Sequence, residues 1–170
     1  MSPATVRPLR ALISGVLAGA AGTLAMDLVW YARSRREGGT QTFGAWETAD
    51  GLTKWDDAPA PGQVGRLVAK HLLGRDLPTT MARPVTNVVH WATGIGWGMQ
   101  YGLLAARTGH RSATSGVAFA PVVWLSGYVL LAPVGIYKPI WQYDTKTLTK
   151  DLSAHLAYGA ALGAAFRALT

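Results

Sequence analysis

The chain has 170 residues, enough for one domain, and its 16 Lys and Arg against 9 Asp and Glu give a net charge of +7. Charged residues make up only 15 % of it, against about 25 % in an ordinary soluble domain. It has no cysteine, which excludes disulfides and thiolate metal sites within it. Its basic residues are scattered between apolar runs, so no nucleic-acid partner is expected.

Four apolar runs follow one another along the chain. A helix that crosses a bilayer needs roughly 20 mostly apolar residues. The first three runs meet this length, and the helix of the fourth must include residues before its apolar part. The predicted spans are residues 10–32, 84–106, 113–136 and 148–168. The sequence therefore predicts an all-α membrane protein in which residues 1–170 form a single multi-pass domain, a four-helix transmembrane bundle.

The first run has a competing interpretation as a secretory signal peptide. Residues 1–20 have a basic start at Arg7 and Arg10 and a small-residue cleavage site ending at Ala20. The apolar stretch continues beyond that point to Trp30, which favours a retained helix.

The long loop 33–83 divides into two parts. Residues 38–62 are rich in turn formers and predict an irregular segment. Residues 62–74 carry apolar side chains at helical spacing with basic residues on other faces, which indicates an amphipathic helix. This helix either lies in the membrane interface or packs on the end of the bundle.

A stripe of glycines runs along the second predicted span below His90. Residues four apart lie on one face of a helix, and Gly-xxx-Gly spacing lets two helix backbones approach closely in lipid. The first and fourth spans have similar stripes, so these helices are expected to pack through glycine. The predicted packing residues are Gly15, Gly19, Gly94, Gly98, Gly102, Gly159 and Gly163.

Two internal echoes suggest a repeat. The segment 90–98, HWATGIGWG, resembles 155–163, HLAYGAALG, and Ser14-Gly15-Val16 matches Ser115-Gly116-Val117. In that register Asp27 corresponds to Tyr128. Spans one and two would then be related to spans three and four by a parallel repeat, a plan known in membrane carriers.

Polar side chains of the four spans fall at a similar depth. With both termini on one side of the membrane, called side A, the loop 33–83 lies on side B. Counted from side B at 1.5 Å per residue, the histidines lie about 9–10 Å deep and Asp27 about 7–8 Å deep. An ionisable side chain inside a membrane is a functional hypothesis by default. The predicted polar layer consists of Asp27, His90, Tyr128, Asp151 and His155.

Three functions are compatible with this layer. The first is transport of a proton, an ion or a small solute. The second is a non-catalytic scaffold or partner subunit, in which the polar side chains only bond to one another. The third is a haem or a divalent metal ion held by His90 and His155, with Asp27 as a further metal ligand, although no cofactor is the main expectation. No enzyme activity is expected, because Ser126 and Ser153 stand in no nucleophile motif.

The loop between the third and fourth spans predicts an interfacial anchor. Aromatic and basic side chains gather at membrane surfaces, and here Pro133 and Pro139 should end or bend the third helix. Side B also carries eleven of the sixteen basic residues, which favours its placement in the cytoplasm, whereas the short loops counted alone favour side A there. The anchor residues are Tyr137, Lys138, Trp141 and Tyr143.

The chain resembles the YagU-like family of bacterial inner-membrane proteins. The resemblance is carried by a Gly/Ala-rich first helix, by His90-Trp91 near the start of the next span, and by Ala154-His155 opening the last. Gly135, Pro139 and Trp141 add to it. It covers most of residues 10–168 and implies a multi-pass protein of the plasma membrane, with lipid as its first partner. It implies no reaction, cofactor or site residue, and leaves open a homo-oligomer or a membrane protein partner.

Overall fold

The computed structural model describes residues 8–170, and within them the chain forms six α-helices and no β-strand. The predicted all-helical class is confirmed. Arg7, the start of the signal-peptide interpretation, lies outside the described residues. The helices are α1 Pro8–Arg36, α2 Phe43–Glu47, α3 Ala60–Leu73, α4 Ala82–Thr108, α5 Ala113–Leu131 and α6 Thr145–Leu169.

Four of these helices are long and pack side by side in the order α4, α1, α6, α5. The short helix α3 lies against α4. Within residues 8–170, α1 and α5 are the two helices long and apolar enough to cross a membrane. A bond from the Arg10 guanidinium to the Leu169 carbonyl, 3.1 Å long, places the start of α1 beside the end of α6.

Glycine makes the closest helix contacts of the bundle. A Cβ added to Gly15 would lie 2.6 Å from the carbonyl oxygen of Gly98, and one on Gly19 would lie 2.8 Å from that of Gly94. In the α5–α6 pair, a Cβ on Gly159 would lie 2.9 Å from the carbonyl carbon of Gly116. Backbones at this separation leave no room for a side chain, so van der Waals contact between backbones holds these pairs.

The helix α1 buries small residues and exposes large ones. Its buried face includes Ala11, Ser14, Ala18 and Thr23. A soluble protein rarely exposes a long apolar stripe. The stripe exposed on the opposite face consists of Leu9, Ile13, Leu17, Leu24 and Leu28.

The helix α5 ends at Leu131, five residues before the predicted boundary at 136. Pro133 has no backbone N–H to continue the helical ladder. The chain then turns through Gly135, whose φ of +76° is in the left-handed region. The N–H groups of Ile136 and Tyr137 return to the Leu131 carbonyl, at 3.1 and 3.2 Å, and close the turn.

The segment 38–62, predicted to be irregular, contains the ordered helix α2. The Thr42 side chain caps its first turn by accepting from the Ala45 N–H. The rings of Phe43 and Trp46 pack on Tyr31 of α1, with centroid separations of 5.3 and 5.7 Å. Ring packing of this kind stabilises a short element that would not persist alone, and it fixes α2 over the end of α1.

The amphipathic helix was predicted at residues 62–74, and α3 occupies Ala60–Leu73. It starts two residues earlier because Pro61 fits the first turn of a helix, where its missing N–H costs nothing. It ends at Gly74, which takes the left-handed conformation with a φ of +65°. Its apolar residue Leu72 remains 79 % exposed.

Candidate functional site

A buried carboxylate of α1 and a histidine of α4 form the centre of the candidate site. The Asp27 side chain is held in the bundle, and the residue is only 3 % exposed. The Nε2 atom of His90 lies 2.9 Å from Oδ2 and 3.1 Å from Oδ1 of Asp27. The sequence placed these two residues at one depth, and the structure puts them in direct contact.

A third ligating group, Glu47, reaches this pair from α2. One ligand atom from each of Asp27, Glu47 and His90 lies within 4.8 Å of the other two. The Oε1 atom of Glu47 is buried and has no hydrogen-bond partner among residues 8–170. Burial, and then the neighbouring charge of Asp27, raise the pKa of Glu47 above its ordinary value.

The three residues line a cavity of about 320 Å³ between α1, α2 and α4. Its walls include the indole rings of Trp30 and Trp46. Part of its wall is the loop that follows α2, which is tied to α4 where the Asn87 side-chain amide donates to the Thr48 carbonyl at 2.9 Å. The loop predicted to be irregular thus forms part of the site.

The other predicted polar residues form a second cluster between α5 and α6. The Tyr128 hydroxyl donates to Asp151 Oδ2 at 2.8 Å, and the Trp124 indole N–H donates to the same oxygen at 3.1 Å. On α6 itself, the Nδ1 atom of His155 lies 3.0 Å from the Asp151 carbonyl and 3.3 Å from Oδ1. This carboxylate is satisfied by its own neighbours.

The predicted layer is therefore two clusters, each with its own partners. His90 faces Asp27 and His155 faces Asp151. Among residues 8–170, the trio of potential ligands that lies close enough for one metal ion is Asp27, Glu47 and His90, and it does not contain His155. The haem or metal alternative that joined the two histidines has no support in these contacts.

The predicted glycine residues all lie at helix contacts. A Cβ on Gly94 would meet the Thr23 side chain, one on Gly102 would meet the Ala11 carbonyl and one on Gly163 the Ser112 carbonyl. The Thr23 hydroxyl donates to the Gly19 carbonyl at 2.9 Å, so this polar group stays satisfied inside the bundle.

The predicted anchor residues surround the turn after α5. Tyr137 and Tyr143 both pack on Tyr128, each with a centroid separation of 5.3 Å. Burial, with smaller effects from Asp151 and Tyr143, raises the pKa of Tyr137 to about 12. The backbone N–H of Lys138 donates to the Tyr143 hydroxyl. Trp141 is 80 % exposed, so three of the anchors are tied together and the fourth projects outward.

Two site residues were missed by sequence reasoning. Glu47 was taken as part of an irregular loop, although the aromatic residues next to it signal packing. Trp124 lies inside the third apolar run and was assigned no role, although a buried indole N–H needs an acceptor. Comparison of the chain with protein-family models, curated proteins and solved structures finds no match.

Proposed function

We propose that the chain is a small multi-pass protein of a bacterial plasma (inner) membrane that moves a cation, or a small solute coupled to one, through the site at Asp27. The observation that carries this proposal is a buried carboxylate in contact with a histidine and a second carboxylate at the wall of a cavity. The placement agrees with the resemblance to the YagU-like family.

Helix length and packing support the multi-pass arrangement. At 1.5 Å per residue, the 27 residues of α4 and the 25 of α6 extend about 40 and 37 Å, beyond the roughly 30 Å of a hydrocarbon core. Both lie against α1 over much of its length. If α1 crosses the bilayer, α4 and α6 must therefore lie at the same depth.

The surface supports the same placement. The large apolar residues of α1 point outward, while small residues fill its contacts. On α5, Val122, Leu125, Val129 and Leu130 are also exposed. Lipid tails would solvate these side chains, whereas water would drive them into aggregation.

A cation is the expected cargo because of the charges at the site. Two carboxylates within 4.8 Å of one another repel each other strongly where water is scarce. A single imidazole offsets one negative charge at most. A cation drawn into the cavity removes the remaining repulsion.

Flux through liposomes tests this function. Purified protein is reconstituted in vesicles with a pH-sensitive or ion-sensitive dye inside, and a cation gradient is applied across the membrane. We expect Asp27→Asn, which keeps the shape and removes the charge, to abolish flux. The matched control is Asp57→Asn, an exposed loop carboxylate, which should behave as wild type. Equal flux in wild type and Asp27→Asn would reject transport through this site.

The non-catalytic scaffold remains the alternative that this assay separates. A scaffold gives no flux above protein-free vesicles, and substitutions at Asp27 then change only the stability of the fold. Capture of a stoichiometric membrane protein partner by the wild type and by Asp27→Asn alike would favour it.

Topology is tested with introduced thiols. Because the chain has no cysteine, a single added one is the only reactive thiol. We expect Thr40→Cys and Lys146→Cys to react with an impermeant maleimide from one side of the membrane, and His110→Cys from the other. Labelling of all three from the same side contradicts four spans.

A further inference from the structure

We infer that Asp27, Glu47 and His90 bind a divalent transition-metal ion, with zinc the closest match. The inference rests on the proposed function, because it takes the same site and names the cation that enters it. The three ligands come from α1, α2 and α4, so a bound ion would also fasten the loop helix to the bundle.

The separations fit one ion. Zinc binds imidazole nitrogen and carboxylate oxygen at about 2.0–2.2 Å, usually in a tetrahedron. Two ligands of such a tetrahedron lie roughly 3.3 Å apart. His90 Nε2 and the Asp27 oxygens already stand at 2.9 and 3.1 Å. With all three ligand atoms within 4.8 Å of one another, Glu47 needs a side-chain adjustment of less than about 2 Å to join them.

The unpaired Glu47 carboxylate is a second reason to expect an ion at this site. Its Oε1 atom is buried and lacks a hydrogen-bond partner in the part of the chain that the structure describes. A buried acceptor left unpaired destabilises the fold, and more strongly when it is charged. The ring contacts of α2 nevertheless hold this residue at the site. An ion between Glu47 and Asp27 would satisfy both carboxylates.

The second cluster offers a comparison, because its carboxylate, Asp151, has hydrogen-bond partners on its neighbours. Asp151 receives hydrogen bonds from Tyr128 and Trp124, in addition to its contact with His155. At Glu47 the Trp91 indole is the neighbouring side-chain donor, and the Oε1 atom still has no hydrogen bond within residues 8–170. The first site instead combines two carboxylates and an imidazole around an open volume.

The ligand set narrows the identity of the ion. An imidazole nitrogen favours zinc, iron, copper or nickel over magnesium and calcium, and two carboxylates with no thiolate favour an ion that also accepts oxygen ligands, such as zinc or ferrous iron. Three protein ligands leave a position open toward the cavity, as in sites that exchange a water or a substrate. Such a site suits an ion that must leave again.

Metal titration tests the inference directly. Protein in mild detergent is stripped with a chelator, then titrated with Zn²⁺ by calorimetry and with Co²⁺ while its visible absorption is recorded. We expect one ion per chain and the absorption of a site with a nitrogen ligand. Glu47→Gln, which keeps the size of the side chain, should weaken binding by more than about 100-fold, since even losing a group behind the ligands costs 10–100-fold.

The control is Asp57→Asn, which removes an exposed carboxylate and should bind as wild type. Melting curves supply a second measurement, because an ion raises the melting temperature only of a variant whose folded state binds it. Zn²⁺ should raise that of wild type and not that of Glu47→Gln. A wild type that binds less than one ion, or a Glu47→Gln variant with unchanged affinity, overturns the inference.

The flux assay and the binding assay distinguish failure of the proposed function from failure of the metal site. If Asp27→Asn loses flux and the wild type binds no Zn²⁺, the proposed function is supported and the metal site is overturned. Stoichiometric binding that Glu47→Gln loses, in vesicles that show no flux of Zn²⁺ or protons, supports the metal site and rejects transport.

Discussion

The two halves of the bundle share a packing plan and differ in their polar clusters. The first half, α1 to α4, joins Gly15 to Gly98 across a backbone contact, and the second half, α5 and α6, joins Gly116 to Gly163 in the same way. The predicted repeat pairs these glycines with one another. Each half also has a histidine eight residues before the second of its glycines, His90 and His155.

The clusters differ in where the carboxylate comes from. In the first half the carboxylate Asp27 is on the helix opposite His90, and Glu47 is added from a loop. In the second half Asp151 is on the same helix as His155, one turn away, and Tyr128 occupies the position that matches Asp27. The same scaffold thus supports an incomplete ligand set in one half and a closed hydrogen-bond network in the other.

The largest effect is expected where the halves are alike. A Cβ at Gly98 would collide with the backbones of Gly15 and Gly19, so Gly98→Ala should destabilise the bundle by about 3 kcal/mol. Gly116→Ala should do the same in the second half, where the Cβ would meet the Gly159 carbonyl. Resistance to unfolding by denaturing detergent measures both.

The control is Gly96, on the same helix as Gly98 but with nothing within 4 Å of an added Cβ. Gly96→Ala should be neutral or stabilising by up to about 1 kcal/mol, because alanine favours helix. Similar losses at Gly96 and Gly98 would mean that backbone contact does not hold these helices.

A smaller loss of stability is expected from a substitution at Asp151, the carboxylate of the second cluster. Asp151→Asn weakens bonds from Tyr128 and Trp124 to a charged acceptor, so a loss of about 2 kcal/mol in stability is expected. Its Zn²⁺ affinity should stay within a factor of about two of wild type, since the proposed metal site lies in the other half. Calorimetry and unfolding curves on one preparation measure both, and a large loss of affinity would show that the two clusters act together.

A single hydrogen bond in the second cluster should matter less. Tyr128→Phe keeps the ring contacts with Tyr137 and Tyr143 and removes the bond to Asp151. In the proposed membrane setting, hydrogen bonds between helices average about 0.6 kcal/mol and reach about 1.7, so the loss should fall within that range. A loss above 3 kcal/mol in the same unfolding assay would assign this network a larger share of the stability than packing.

The smallest effect is expected at the ion pair that links the halves. The bond to Lys150, at 2.7 Å, lowers the pKa of Glu37 below 4.5. A depressed carboxyl pKa contributes stability above its unfolded value, and this is lost only as the pH falls through the folded value. Stability that depends on Glu37 should therefore be unchanged down to a pH of about 5. Above that pH, the difference in melting temperature between wild type and Glu37→Gln should be constant. A difference that changes with pH there would show that other titrating groups contribute to the contact between the halves.

Local spacing made the packing of the bundle predictable. Glycines four apart must share a helix face, and that geometry alone indicated the contacts of Gly15, Gly94 and Gly98. The depth of Asp27 and His90 followed from counting residues at a fixed rise. The end of α5 required knowledge of how Pro133 and Gly135 share one turn, and the prediction at 136 was too long.

The remainder of the site depends on long-range contacts that local patterns do not report. Glu47 reaches Asp27 because the ring of Tyr31 packs against the two aromatic rings of α2, which follow it by more than ten residues in sequence. No periodicity encodes such a contact in a helix of five residues. The pairing of His155 with Asp151 was within reach, since residues four apart on a helix are neighbours, but the comparison with His90 favoured a partner on another helix.

Tyr158 makes the two halves mechanically dependent. It is buried between α1 and α4, with its ring edge 2.8 Å from the place a Cβ of Gly22 would take, and its hydroxyl donates to the Gly94 carbonyl at 2.7 Å. Gly94 is one turn below His90. A rotation or sliding of α6 would have to break this hydrogen bond or move the adjoining turn of α4 with it. Tyr158 therefore connects α6, in the second half of the bundle, to the part of α4 that carries His90.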